Sequence, residues 1–203
     1  MLQAFRVIAR AVNEFERFGW LYITANLLSV LLSVPLISAP AAFAGLSRLS
    51  HTAQTEITAS MADFWAGFRQ NLLRGLVVGI ANAAVLGILW YNFNYYGGQS
   101  GLLITVLRTG WIVILILWLG AQLFLWPMLD EMEQPSLMGA IRNAFLMVMQ
   151  NPLFTLTLMV ALLLLAVIST IVFIPWLLVT FSFVACVANA AVLDRLEAYR
   201  SGQ

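Results

Sequence analysis

The stretch that decides the fold is "LLITVLRTGWIVILILWLGAQLFLWP", residues 102–127. It is almost wholly apolar and carries a single charged side chain, that of Arg108. A helix needs about 20 consecutive apolar residues to cross the hydrocarbon core of a bilayer. The stretch therefore predicts a membrane-spanning helix, and the rest of the chain has to be interpreted with lipid as its solvent.

The composition of the whole chain agrees with this prediction. Of the 203 residues, 62% are hydrophobic and 9% are charged, whereas soluble domains carry roughly 25% charged residues. The net charge of +1 argues against a nucleic-acid-binding protein, which would need a basic patch. The one cysteine, Cys186, excludes an internal disulfide and a cysteine-based metal cluster.

Similar apolar runs elsewhere predict an all-α integral membrane protein that forms a single domain with five transmembrane helices. The fourth and fifth runs are interrupted at Pro175, and they could instead form one bent hairpin, but their combined length of about 40 residues favours two crossings. The five predicted spans are residues 19–38, 72–93, 102–127, 152–173 and 176–193.

Residues 1–18 predict an amphipathic helix, because Leu2, Phe5, Ile8, Val12 and Phe15 recur at spacings of three and four. Such a helix either lies in the headgroup plane of a membrane or packs on the protein beside water; its arginines favour the headgroup plane.

Five spans place the two termini on opposite sides of the membrane. Six arginines then lie on the side of the long loops and the C-terminus, and four lie on the other side. Since cytoplasmic segments carry an excess of positive charge, we expect a multi-pass membrane protein with the N-terminus outside and the C-terminus cytoplasmic.

Two stretches resemble each other, "DFWAGFRQNLL" at residues 63–73 and "SLMGAIRNAFL" at residues 136–146. Each places an arginine at the flank of an apolar face, and Asp63 or Ser136 stands where a side chain can cap a helix start. They predict interfacial amphipathic helices at residues 63–73 and 136–149. The similarity indicates an internal parallel repeat, although chance similarity between apolar helices is the alternative.

The arginines of these segments, Arg69, Arg142 and the nearby Arg74, are candidate contacts for lipids or partner proteins. Arg69 and Arg142 either extend their side chains towards lipid phosphates or recognise an anionic substrate or an acidic partner. Snorkelling towards lipid is the ordinary role of an arginine at this depth.

A ridge of small residues runs along the second predicted span, at Gly75, Gly79, Ala83 and Gly87. Small residues four apart allow another helix to approach closely, so the ridge predicts either packing inside the protein or homodimerisation. Shorter ridges of the same spacing occur at Ala25, Ser29 and Ser33, and at Ser182, Cys186 and Ala190.

Four amides lie within the predicted spans: Asn26, Asn82, Gln122 and Asn189. Each needs a hydrogen-bond partner, because lipid offers none. Interhelical hydrogen bonds and the lining of a polar substrate path are the two explanations. No acidic residue lies deep in a span, which weakens the case for an ion-coupled transporter.

Catalytic and metal-binding patterns are weak. His51, the one histidine, is interpreted as a loop residue, and Asp130, Glu131 and Glu133 as groups that solvate the end of a loop. The chain lacks lysine and a glycine-rich phosphate loop. We therefore expect no enzyme, no cofactor and no metal.

The segments "ANLLSVLLSVPLISAPAAFAGLSRL", residues 25–49, and "FWAGFRQNLLRG", residues 64–75, resemble the YesL family of bacterial membrane proteins. The resemblance rests on Pro35, Pro40, Phe64, Phe68, Arg69 and Asn71. It implies an accessory protein of carbohydrate uptake in a bacterial inner membrane, with membrane lipids and transporter permease subunits as partners.

Three functions remain open from the sequence. The first is a non-enzymatic accessory or scaffold of a transport system, which docks through its amphipathic helices. The second is a small transporter or channel lined by the four amides. The third, a lipid-modifying enzyme, would need His51 and the acidic cluster at Asp130 to converge.

Overall fold

A computed structural model describes residues 2–202, and 86% of the chain is helical. Met1 and Gln203 lie outside the described residues, so the first residue of the predicted helix at 1–18 is not included. No strand occurs within residues 2–202. The helices are α1 (Leu2–Arg17), α2 (Gly19–Ser33), α3 (Ala39–Thr55), α4 (Met61–Gln70), α5 (Leu72–Tyr95), α6 (Leu102–Asp130), α7 (Leu137–Gln150), α8 (Pro152–Val172) and α9 (Phe181–Ser201), with a π-helical turn at Trp176–Thr180 before α9.

Four helical segments in the described part of the chain are long and apolar enough to cross a membrane: α5, α6, α8 and the continuous segment Trp176–Ser201. They coincide with four of the five predicted spans. The first predicted span, residues 19–38, is a shorter apolar helix, because α2 ends at Ser33. Its 15 residues extend about 22 Å, which is less than the ~30 Å of hydrocarbon.

The chain reverses direction directly after α2. Leu36 takes a positive φ of 58°, and Pro40 lies in the first turn of the following helix, α3. The Tyr22 hydroxyl contacts the Ser50 hydroxyl at 3.4 Å, so α2 and α3 form an antiparallel pair. Prolines interrupt a helix and restrict the preceding residue, which explains why one apolar run becomes a helical hairpin.

Helix α3 is the element that the sequence analysis missed. No predicted span or interfacial helix covers it, and the loop prediction for His51 falls within it. Most residues of α3 are buried, among them Ala41, Ala44 and Leu49. Helix α4 packs against it so closely that a Cβ atom at Gly67 would lie 2.6 Å from Cβ of Arg48. Small residues on both helices permit this approach and bring α3 to the centre of the protein.

Helix α9 is the second central element. Residues 185–192 are all buried; four of the eight are alanine, and Cys186 and Asn189 lie among them. Helices α1, α2, α3 and α6 surround it. Helices α5, α6 and α8 instead expose large aliphatic side chains along most of their length, as expected for surfaces that face lipid.

Helix α1 is amphipathic, as predicted, but its buried face differs from the predicted stripe. Ala4, Val7 and Ala11 are buried, whereas Phe5 is 62% exposed and Val12 is 38% exposed. The small residues pack on the protein, since Cys186 of α9 lies 3.5 Å from the carbonyl oxygen of Ala11. Phe5 and Val12 therefore form an outward edge of α1, whereas Ile8 and Phe15 of the predicted stripe pack against the core, Phe15 by stacking on Tyr22 of α2.

The two resembling segments form α4 and α7, and each packs against the helix that precedes it in the chain. Ser136 is the N-cap of α7, and its Oγ accepts from the Gly139 amide at 3.4 Å. Asp63 is not an N-cap, because α4 begins earlier: its carboxylate accepts from the amide of the true cap, Ser60, at 2.8 Å. The resembling residues thus differ by one helical turn in their position relative to the helix start.

Candidate functional site

Charge is concentrated at one end of the bundle, which we call the charged end: the end where α4, α7 and the C-termini of α3, α6 and α9 lie. Arg48 and Arg200 reach the acids at the end of α6, and Arg74 donates to the Pro135 carbonyl at 3.0 Å. Helix α1 belongs to the same end, because Arg10 lies 3.8 Å from Glu197 and Arg17 donates to the Ile57 carbonyl.

The opposite end carries one charged residue of the described chain, Arg108. Its guanidinium folds back from α6 onto the carbonyls of the α5–α6 turn, including those of Gly97 at 2.7 Å and Gln99 at 2.9 Å. A long side chain that reaches backbone oxygens at the interface in this way removes its charge from the hydrocarbon.

A buried polar cluster holds α3, α6 and α9 together at the charged end. The Ser47 hydroxyl donates to the Asp130 carboxylate at 2.9 Å, and the Arg48 guanidinium lies 3.9 Å from the other carboxylate oxygen. Asn189 of α9 donates to the Ser47 carbonyl at 3.2 Å. Asp130 is only 9% exposed, so these partners, rather than water, form the polar surroundings of its carboxyl group.

His51 lies in α3 and not in a loop, which corrects the interpretation from the sequence. Its Nδ1 lies 3.6 Å from Glu131, and Arg200 lies 3.8 Å from the same carboxylate. Burial lowers the pKa of His51 below its usual value, against the opposing effect of Glu131. Burial therefore favours the neutral form of His51 beside Glu131, while Asp130 is held by other residues.

Asn26 is completely buried and joins α2 to the start of α9. Its amide donates to the carbonyls of Trp176 at 2.9 Å and Leu177 at 2.7 Å, and its oxygen accepts from the Ser182 amide at 2.9 Å. A π-helical turn displaces the regular hydrogen bonds of a helix. Asn26 thus satisfies backbone groups that the turn at Trp176–Thr180 leaves without helical partners.

Asn82 and Gln122 meet between α5 and α6. Asn82 donates to the Gln122 carbonyl oxygen at 3.4 Å and accepts from the Trp118 indole at 2.9 Å. Both amides line a cleft of about 320 Å³, which Pro40 and Phe43 of α3 also border. All four amides predicted from the sequence therefore have partners on another helix.

The three predicted arginines have different environments. Arg69 is exposed and its guanidinium stacks over the Trp65 ring at 5.5 Å. Arg142 is exposed on α7. Arg74 is bound to the protein, since it donates to Asn71 at 3.0 Å as well as to Pro135. Arg69 and Arg142 are thus more accessible to lipids and partner proteins than Arg74 is.

Only the first half of the predicted ridge on α5 packs against another helix. Gly75 is buried against Ala41 and Gly79 lies beside Pro40, whereas Ala83 and Gly87 are exposed. The ridges of α2 and α9 are more fully buried, with Ala25, Ser182 and Cys186 at 0% exposure. Packing inside the protein accounts for these ridges and for the first half of the ridge on α5.

A second cleft, of about 570 Å³, opens at the charged end between α7 and α9. Sequence reasoning missed it, because its walls come from segments about 50 residues apart. Amides and apolar side chains alternate along it, including Asn143, Leu146, Gln150, Leu196 and Tyr199. Such mixed, concave surfaces at the end of the bundle are suited to protein partners.

Comparisons with protein-family models, with curated proteins and with solved structures yield no match to this chain. Within residues 2–202, no three metal-ligating side chains lie close enough together to hold a metal ion. The case for a function rests on the geometry described above.

Proposed function

We propose that this chain is an accessory or scaffold subunit of a bacterial membrane transport system, and that it binds a permease subunit at its charged end. The observation that carries the proposal is the separation of roles along the bundle. The amides among the apolar helices are engaged with other helices. Every charged residue of the described chain except Arg108, and the larger of the two clefts lined by amides, lie at one end.

The proposed docking surface is the cleft between α7 and α9. Tyr199, 65% exposed at its rim, is the kind of residue that dominates binding at protein interfaces. Leu146 is 46% exposed beside it and offers an apolar contact. Carbohydrate uptake as the process served follows from the resemblance of residues 25–49 and 64–75 to the YesL family, and it remains part of the proposal.

Co-purification of the full-length protein in mild detergent tests this function. We expect a permease subunit in stoichiometric amount, and at least tenfold less of it with Tyr199→Ala, since an aromatic anchor contributes about 2 kcal/mol or more. Tyr95→Ala is the matched control, because Tyr95 is 58% exposed at the opposite end and should leave recovery unchanged.

Equal loss of the permease in both variants would argue against the cleft as the docking surface. A purified protein that moves a solute across liposomes by itself, without a permease subunit, would contradict the accessory role as a whole.

We also propose a topology of four spans, with α2 and α3 as a hairpin that enters and leaves the membrane on the same side. Pro40, at the start of α3, lies beside Gly79, which is seven residues or about 10 Å into α5. The turn between α2 and α3 would then lie within the bilayer. Nine of the ten arginines would share the cytoplasmic side, in far better agreement with the positive-inside tendency than six against four.

This topology places both termini in the cytoplasm, in contrast to the five-span prediction. Labelling with a membrane-impermeant maleimide distinguishes the four-span from the five-span topology. The variants carry a single cysteine in place of Gln3, Gly98 or Ser201, each in a Cys186→Ala background. We expect positions 3 and 201 to be labelled from one side of the membrane and position 98 from the other. Labelling of positions 3 and 98 from the same side would contradict the four-span topology and support five spans.

The internal repeat becomes a more specific proposal. Its two copies would be α3–α4–α5 and α6–α7–α8. Each would consist of a helix, an amphipathic helix that packs against it, and a candidate span, in the same order. The shifted cap positions of Ser60 and Ser136 would then record divergence after a duplication.

A transporter is the second candidate, and the cleft beside Asn82 and Gln122 favours it. That cleft lies where the α2–α3 hairpin turns, and interrupted helices are typical of substrate sites in transporters. The accessory role is preferred because both amides already bind each other or Trp118, so their polar atoms are engaged without a substrate.

A further inference from the structure

A groove of about 370 Å³ lies between α6, α7 and α8, and it differs from the two clefts above in being lined almost entirely by aliphatic groups. Val113 and Ile116 of α6 form one wall, Met149 of α7 the end, and Leu156 of α8 the other wall. Two of these helices are candidate spans. The groove therefore lies where acyl chains of the surrounding lipid are available to fill it.

Thr155 is the polar exception in this groove. It is 1% exposed, yet its hydroxyl has no hydrogen-bond partner within residues 2–202. Other hydroxyls of the same helix donate to the carbonyl four residues earlier, as Thr157 does to Leu153 at 2.7 Å and Thr170 to Ala166 at 2.8 Å. A buried hydroxyl without a partner is unfavourable, so a ligand atom that accepts from Thr155 would be favoured.

The depth of Thr155 suits a particular acceptor. It follows Pro152, the first residue of α8, by three residues, or about 4.5 Å along the helix. Ester oxygens of a glycerophospholipid lie just below its headgroup, where the acyl chains begin. An acyl chain in the groove would thus bring an ester carbonyl to the level of this hydroxyl.

Arg142 provides the matching charge. It lies on the same face of α7 as Met149, two helical turns before it. Arg142 is exposed, and no ion pair or hydrogen bond engages its guanidinium within the described chain. An arginine on an interfacial helix is well suited to bind a lipid phosphate.

We propose that this groove is a specific site for one anionic glycerophospholipid: Arg142 binds the phosphate, Thr155 donates to an ester carbonyl, and an acyl chain lies between α6 and α8. The site is independent of the accessory role, because it faces the bilayer and not the cleft between α7 and α9. Arg69, the counterpart of Arg142 in the resembling segment, instead stacks on the Trp65 ring at 5.5 Å.

Native mass spectrometry of the full-length protein in detergent, titrated with dioleoyl phosphatidylglycerol, tests the site. We expect one tightly bound lipid, with about tenfold weaker binding to Arg142→Gln, since a charged hydrogen bond contributes roughly 1.5 kcal/mol or more. Thr155→Val should weaken binding several-fold, and Leu156→Trp should abolish it by filling the groove. Arg69→Gln is the matched control and should bind as the unaltered protein does.

If Arg142→Gln and Arg69→Gln weaken lipid binding equally, anionic lipid is attracted only by the general charge of the protein surface. That result would overturn the proposal. Equal binding of dioleoyl phosphatidylcholine by the unaltered protein would overturn the selection of an anionic lipid. Since Arg142 and Arg69 are both exposed, neither variant should prevent folding, and the comparison stands even if Leu156→Trp fails to fold.

Discussion

Gly75→Val is expected to destabilise the protein by about 3 kcal/mol, at the upper end for an overpacked contact. A Cβ atom at Gly75 would lie 2.8 Å from the backbone nitrogen of Ala41 and 2.9 Å from its Cβ. Backbone atoms of α3 cannot move aside as a flexible side chain can. Valine therefore forces α5 away from α3, and the contact that supports the α2–α3 hairpin is lost.

Thermal unfolding in detergent measures this effect. For a chain of 203 residues, each kcal/mol shifts the melting temperature by roughly 2–4 °C, so we expect a decrease of roughly 6–12 °C. Gly87→Val is the matched control, since a Cβ atom there meets nothing within 4 Å. If both variants melt at the same temperature, contact with Ala41 does not determine the stability of α5.

Asn26→Leu is the second change with a large expected effect: we expect it to lower the free energy of unfolding by about 3 kcal/mol. Leucine has a similar volume and fills the site, but it leaves the carbonyls of Trp176 and Leu177 and the Ser182 amide without their partner. Each buried group without a partner costs roughly 1–3 kcal/mol, and local rearrangement of the π-helical turn recovers part of this.

Asn94→Leu provides the comparison for this variant. Asn94 is exposed on α5 and donates only to the Trp90 carbonyl of its own helix, at 2.8 Å. We expect its melting temperature to remain within about 2 °C of the parent. Hydrogen exchange at Ser182 should also accelerate in Asn26→Leu alone. Unchanged exchange at Ser182 would contradict the role of Asn26 at the π-helical turn.

The lipid-facing helices could be predicted from sequence because their hydropathy reflects their surroundings directly. Helices α5, α6 and α8 begin at residues 72, 102 and 152, as the apolar runs indicate. Helix α3 could not be predicted in this way. It is rich in alanine and serine and packs on protein rather than lipid, so its burial depends on helices distant in sequence.

The candidate sites, like the helices, could be predicted from the sequence only in part. The need of Asn26 and Asn189 for partners follows from an apolar run that contains an amide, but the identity of each partner does not. Ser47 and Asp130 are 83 residues apart, and only the fold brings them within hydrogen-bond distance. His51 was assigned to a loop because the polar residues around it belong to a helix whose polar face meets α6.

The uneven burial of the four span candidates has a consequence for the response of the protein to bilayer thickness. No residue is buried in the most apolar window of α6 and 17% are buried in that of α8, against 56% in that of Trp176–Ser201. Hydrophobic mismatch is commonly relieved by helix tilt. We expect α6 and α8 to tilt as the membrane thins or thickens, while α3 and α9 keep their mutual geometry, so that the protein adapts at its periphery and stays rigid at its axis.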